Sequence, residues 1–157
     1  MRAVAALLWL SLALHAAVLS VGGSVKTPLR IDAESFASYP ETALGNVGVV
    51  CMSGARREAP RERRGVLLRT LIEQAVLKSA SPKERNRMVV LASGSDGYGV
   101  SFSYHELFNT PVGDGVLVVR TEEGFTLYSR HDTVTGPRHV RDLAAVEVMM
   151  ITATKTH

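Results

Sequence analysis

The sequence has little of several features that would narrow its function. Its 157 residues contain one cysteine, Cys51, so no internal disulfide can form, and in an oxidising compartment stability must come from packing. The formal net charge is only +3, which is too small an imbalance to predict a nucleic-acid-binding surface. The sequence contains no internal repeat and no low-complexity tract. These absences favour an ordinary globular chain.

The first residues have the form of an export signal. Met1 and Arg2 precede a mostly apolar run at residues 3–19, and small residues offer a cleavage site near residues 22–24. We therefore expect a signal peptide at residues 1–23 and a periplasmic or secreted location. An uncleaved membrane anchor is the alternative, because the apolar run is near the lower limit for spanning a bilayer. If the signal is cleaved, the mature chain keeps no membrane span.

The remaining residues, 24–157, have the size of a single domain and alternate strand-like with helix-like segments. Apolar runs predict strands at residues 28–31, 47–52, 88–91, 115–120, 125–128 and 144–152. Gly65 is predicted to open the best helix, because the apolar residues that follow it recur at helical spacing. The expected fold class is α+β, with about six strands and three or four short helices around one core.

Three local signals meet at residues 91–109. Glycines at positions 94, 97 and 99 favour a sharp turn after a strand. Ser103 and Glu106 form a capping box, in which each side chain accepts a hydrogen bond from a backbone amide at the helix start. A helix is therefore predicted to begin near Tyr104.

This stretch resembles the molybdopterin-binding domain of sulfite-oxidase-like oxidoreductases, especially its small exported single-domain members. The residues that carry the resemblance are Asp96-Gly97-Tyr98, Phe102-Ser103, Glu106-Leu107, the helical stretch after Gly65 and residues 131–143, in that family's pattern. The resemblance implies a reduced version of the sulfite-oxidase-like fold, a mixed β-sheet with short helices. It also implies a molybdenum-pterin cofactor (molybdopterin) and electron exchange with a separate redox partner protein. Sulfite oxidation is not expected, because the chain has no room for the dimerisation domain of the sulfite-oxidising members.

Cys51 is the candidate metal ligand. A thiolate is a soft ligand suited to transition metals, and the resemblance implies that a cysteine at a strand end binds molybdenum beside the pterin dithiolene. Alternatively, a lone cysteine in an apolar strand is a small buried hydrophobic residue.

The candidate cofactor-binding residues are Gly136, Arg138, His139, Arg141 and Tyr98. Gly136 begins a fixed bend with Pro137, and the basic residues after it can donate hydrogen bonds to an anion. The resemblance implies that this bend lies beside the cofactor, where the aromatic ring of Tyr98 can cover a planar group.

A purely structural interpretation of the same residues is equally consistent with the sequence. In it, Asp132 binds the amides of the following turn, Arg138 pairs with Asp142 to brace the last strand, and Tyr98 covers the edge of the core.

Five arginines before Gly65 form a second candidate anion site: Arg56, Arg57, Arg61, Arg63 and Arg64. Guanidinium groups match phosphate geometry, and a helix beginning after Gly65 would add free amides. The alternative is a solvated loop or hairpin arm that Glu58 and Glu62 partly neutralise.

Other site chemistries fit poorly. A cysteine-nucleophile triad is not expected, because Cys51 lies in a strand and no oxyanion turn follows it. A zinc site is excluded because one cysteine and scattered histidines lack ligand spacing.

Two functions remain, and no catalytic residue is assigned for either. The first is an exported molybdopterin-dependent oxidoreductase domain or subunit. The second is a cofactor-free relative that acts as a periplasmic ligand-binding or protein-interaction module. They differ in whether Cys51, Arg138 and the turn at residues 94–99 converge on one pocket.

Overall fold

The computed structural model describes residues 17–78 and 81–152. These residues form nine strands and four short α-helices in two sheets, which confirms the α+β class and adds three strands to the six predicted. The strands are β1 (Leu19–Gly23), β2 (Leu29–Ile31), β3 (Thr42–Val50), β4 (Arg56–Leu67), β5 (Met88–Gly94), β6 (Gly99–Ser103), β7 (Val116–Arg120), β8 (Phe125–Ser129) and β9 (Leu143–Met150). The helices are α1 (Ala33–Phe36), α2 (Leu68–Ala75), α3 (Pro82–Arg85) and α4 (Tyr104–Phe108), with 3₁₀ turns at Pro111–Gly115 and Gly136–Arg138.

The five-stranded sheet has the order β2-β1-β9-β5-β6. The last strand of the chain, β9, lies at its centre, parallel to β1 and antiparallel to β5. Its Val146 and Val148 are buried. The strand predicted at residues 144–152 therefore pairs the end of the described chain with its beginning.

Strand β1 belongs to the folded unit. Leu19 and Val21 are buried, and Gly23 pairs with Val148 of β9. The folded domain thus begins before the predicted boundary at residue 23, while residues 1–16, which carry most of the predicted export signal, lie outside the described residues. No helix of the described part of the chain is long and apolar enough to cross a membrane.

The four-stranded sheet has the order β3-β4-β7-β8 and contains the long β3–β4 hairpin. Strand β4 pairs with β7 only at Val66 and Leu67. The arginine-rich half of β4 therefore has β3 on one side and, among the described residues, no strand on the other. The predicted hairpin arm is confirmed.

Helix α2 begins at Leu68, not directly after Gly65. Gly65 remains in β4, where an added Cβ atom would lie only 2.1 Å from the carbonyl oxygen of Val118. The glycine thus permits the close approach of β4 to β7, and the predicted amide-lined helix start beside the arginines does not exist.

The main core lies between the five-stranded sheet, α2 and α4, and includes Leu71, Ile72 and Phe102. A smaller cluster on the second sheet contains Val47, Val49 and Tyr128. The β3–β4 turn lies outside both cores, where it contacts the loop at residues 131–142 that precedes β9.

The capping box that was predicted for α4 is present. The Ser103 hydroxyl oxygen accepts from the Glu106 amide at 3.1 Å, and a Glu106 carboxylate oxygen accepts from the Ser103 amide at 2.8 Å. The preceding β5–β6 turn requires Gly97, whose φ is +86°.

Candidate functional site

The loop at residues 131–142 docks on the β3–β4 hairpin through Thr135. Its hydroxyl donates to the Gly48 carbonyl oxygen at 2.8 Å and accepts from the Val50 amide at 3.1 Å. At Gly136, an added Cβ would lie 2.6 Å from the Val50 carbonyl oxygen and 3.1 Å from the Cα of Cys51. The bend therefore lies directly against the backbone that carries the thiol.

The turn at residues 94–99 joins the same surface through Tyr98. The Tyr98 hydroxyl donates to the Pro137 carbonyl oxygen at 2.6 Å, while the residue as a whole is 46% exposed. The structure thus brings together Cys51, Gly136 and Tyr98, three of the residues predicted for the cofactor site. We call this surface the thiol face.

Cys51 is the first residue of the tight β3–β4 turn. Its amide donates to the Ala55 carbonyl oxygen at 2.9 Å, and Gly54, with a φ of +80°, completes the turn. Cys51 is half-buried, so it is not the fully buried hydrophobic residue of the alternative interpretation. The Nε–H of Arg57 donates to Sγ at 3.3 Å. A sulfur atom is a soft ligand for a transition metal, and here it accepts a hydrogen bond from a guanidinium.

No group of three or more His, Cys, Asp or Glu side chains that could hold a metal occurs in residues 17–78 and 81–152. A metal held mainly by protein side chains therefore has no candidate centre in this part of the chain. A group that brings its own sulfur ligands needs only one sulfur from the protein, and Cys51 is the one cysteine of the sequence.

Arg138 is held in a brace and is not free to bind a phosphate. Its Nε–H donates to Asp132 at 2.8 Å, and its Nη1 donates to Glu106 at 3.0 Å. Its guanidinium also lies 4.4 Å from the ring centre of Phe102. The hydrogen bond to Asp132 raises the pKa of Arg138 despite partial burial. Arg138 does form a local brace, but the predicted pairing with Asp142 is wrong: the partners are Asp132 and Glu106, and Asp132 accepts from Arg138.

Glu106 connects this brace to α4. Burial alone would raise the pKa of its carboxyl group, but the Ser103 amide and Arg138 together lower it below the ordinary value. The carboxylate therefore stays ionised and links the helix cap to the loop that carries Gly136.

His139 faces away from the thiol face into a buried polar cluster. Its Nδ1–H donates to the Leu127 carbonyl oxygen at 3.0 Å, its Nε2 lies 3.3 Å from a carboxylate oxygen of Glu58, and its ring stacks obliquely on Tyr128. Burial lowers the pKa of His139, although Glu58 opposes this effect. The ring is therefore neutral at pH 7.

Glu58 is the centre of this cluster and was not predicted. It accepts hydrogen bonds from Arg63 and from the Tyr128 hydroxyl, the latter at 3.1 Å. Arg63 is only 6% exposed and lies over the Tyr128 ring, and burial raises the pKa of Tyr128. A glutamate within an arginine-rich strand was the one sequence signal for this cluster, because a buried guanidinium needs an ionised partner.

A cavity of about 570 Å³ opens beside the cluster, between β4 and the turn after β7. Arg141 lies at its edge, with its side chain 68% exposed and Nη2 4.0 Å from Glu58. The described residues that line the cavity do not include Cys51.

The predicted site residues therefore fall into four groups: the thiol face, the Arg138 brace, the buried cluster with His139, and the cavity edge with Arg141. Arg138 thus does not join Cys51 and the turn at residues 94–99 at one site, which is the arrangement expected of the first function.

The thiol face fits a molybdenum-pterin group in its donor set. The half-buried Cys51 offers a sulfur, and Arg57 carries a positive charge beside it. Gly136 adds no open space, because it packs directly against the backbone of Val50 and Cys51. Arg138 does not contribute to this fit, because two carboxylates already neutralise it.

Neither a protein-family model nor a curated protein matches the sequence. Among solved structures, the chain is similar to the sulfane dehydrogenase SoxCD from Paracoccus pantotrophus, with a TM-score of 0.60 and 18% sequence identity. The similarity covers 84% of this chain and 38% of that chain. This likeness shows the fold alone and confirms that the chain has the expected sulfite-oxidase-like fold.

Proposed function

We propose that this chain is a molybdopterin-dependent oxidoreductase domain or subunit, exported to the periplasm or beyond, that exchanges electrons with a separate partner protein. The observation that carries the proposal is the thiol face, where the partly exposed Cys51 lies against the Gly136 bend with the Nε–H of Arg57 on its sulfur. The sulfite-oxidase-like fold supports it.

Each residue of the thiol face has a definite part in this proposal. Cys51 supplies the thiolate ligand, and Arg57 balances negative charge near the sulfur. Gly136 keeps the bend close to the hairpin, while Tyr98 fixes that bend through Pro137. When bound, the group supplies a metal that changes oxidation state.

The experiment that tests the proposal is elemental analysis of protein produced in cells that make the cofactor and receive molybdate. We expect close to one molybdenum per chain, together with pterin fluorescence after oxidation. Cys51→Ser should lose most of the metal and keep the fold, because a hydroxyl is a poor replacement for a soft thiolate. Ser53→Ala in the same exposed turn is the matched control and should retain the metal. Equal metal content in Cys51→Ser would contradict the assignment.

A second candidate function is a cofactor-free ligand-binding or interaction module. It is favoured by Arg138, whose pairing with Asp132 and Glu106 leaves no charge for a cofactor phosphate. Protein that contains neither molybdenum nor pterin, when purified from cofactor-producing cells, would support this candidate over the first.

A further inference from the structure

The 570 Å³ cavity exists because the two neighbours of β4 differ in length. Strand β3 pairs with β4 as far as Arg56, whereas β7 pairs with it only at Val66 and Leu67. The gap beside the rest of β4 is closed by the β7–β8 turn, which contributes Thr121, Glu122 and Glu123. The volume is typical of sites for small molecules.

The inner wall of the cavity carries a buried cation with a missing partner. Arg63 is 6% exposed and donates through Nη2 to Glu58, yet its buried Nε has no hydrogen-bond partner among the described residues. Buried donors of this kind are nearly always satisfied. This Nε is itself fully buried, so a ligand in the cavity cannot reach it, and Arg63 forms a fixed part of the wall with Glu58 and Tyr128.

The rim carries charges of both signs that are not used inside the protein. Within residues 17–78 and 81–152 no ion pair involves Arg61, Arg120, Glu122, Glu123 or Asp142, and all five line the cavity. Glu58 and Arg63 neutralise one another. The cavity therefore offers guanidinium groups on β4 and carboxylates on the β7–β8 turn.

A ligand that carries charge of only one sign would be attracted by the lining residues of opposite charge and repelled by those of like charge. A small ligand with separated positive and negative groups can pair with both. We propose that the cavity binds a small zwitterion of the amino-acid class, with its carboxylate toward Arg61, which is in no ion pair among the described residues, and its ammonium toward Glu122 and Glu123. This site goes beyond the proposed function and does not require the cofactor.

The test is thermal denaturation and titration calorimetry of the full chain with the common free amino acids. For each one, the N-acetyl form, which lacks the ammonium, and the amide form, which lacks the carboxylate, are measured in parallel. We expect at least one free amino acid to raise Tm in a concentration-dependent way, and both blocked forms to bind roughly tenfold or more weakly.

Two variants locate the binding. Arg61→Gln and Glu123→Gln should each weaken binding of that amino acid roughly tenfold, whereas Arg56→Gln and Glu34→Gln, at exposed positions outside the cavity lining, should leave it unchanged. The proposal is overturned if no free amino acid shifts Tm, if a blocked form binds as well as the zwitterion, or if neither cavity variant weakens binding. Cys51→Ser should bind normally, so failure of the metal assignment and failure of this site are distinguishable.

Discussion

His139 is the residue whose environment makes the sharpest solution prediction. Burial holds the pKa of His139 in the folded chain below the ordinary value of 6.5. At a pH between that lowered pKa and 6.5, the unfolded chain binds a proton that the folded chain does not. The free energy of unfolding should therefore rise with pH across this window and be largest above about pH 6.5. Urea denaturation at pH 5.5 and pH 7.5 measures the difference.

The variant His139→Gln should flatten this pH dependence, because the titrating ring is gone, and His105→Gln should not. His105 is the matched control because it lies half-buried on α4, outside the Glu58 cluster, with its Nε2 2.6 Å from the side-chain oxygen of Asn86. A slope that is unchanged in His139→Gln would show that another group controls stability in this window.

At the level of single residues, the sequence identified side chains better than their partners. Cys51, Gly136 and Tyr98 were predicted together, and the structure places them on one surface. The partner of Arg138 was missed, because Asp142 adopts a φ of +46° where its backbone carbonyl accepts from the Ser95 amide. Such choices depend on tertiary contacts that spacing along the chain does not contain.

Helix α4 depends on its capping box and on the ion pair that extends from it. In Glu106→Gln the amide oxygen can still accept from Ser103, but the charge opposite Arg138 is lost, so we expect a loss of about 0.5–1 kcal/mol in the free energy of unfolding. Glu106→Ala also removes the cap hydrogen bond and should cost about 1–2 kcal/mol in total. Denaturant titration measures both variants.

Glu147→Gln, at an exposed position of β9 that forms no ion pair among the described residues, is the control and should be close to neutral. If Glu106→Ala were as stable as the parent protein, the capping box would contribute nothing to this helix.

Elements that are specified by a few neighbouring residues in the sequence were predictable. Elements that depend on pairing between distant strands were not. The α4 cap and the β5–β6 turn follow from a few adjacent residues. The start of α2 was misplaced because the apolar residues Val66 and Leu67 satisfy a helical pattern equally well. Their pairing with β7 draws them into the sheet instead.

At the scale of the whole molecule, the order of strands could not be read from the sequence. The parallel contact between β1 and β9 joins segments more than a hundred residues apart, as the hydrogen bond between Ser20 and Ala144 shows. The start of the folded domain could not be read from the sequence either. The apolar residues of β1 continue the hydrophobic run of the predicted export signal, so the sequence alone does not separate the two.

Removal of β1 should therefore unfold the domain. A chain that begins at Ser24 loses the buried side chains of Leu19 and Val21, each of which contributes about 1.5–3 kcal/mol, and leaves the edge of β9 open. Against a typical total stability of about 5–15 kcal/mol, we expect this chain to be largely unfolded by circular dichroism. A chain that begins at Ala17 should fold.

In that longer chain Leu19→Ala should cost about 2–5 kcal/mol in the free energy of unfolding. Equal stability of the two shortened chains would mean that β1 is dispensable, and export processing near residues 22–24 would then be compatible with this fold; if the shorter chain unfolds, any processing site must lie before Leu19.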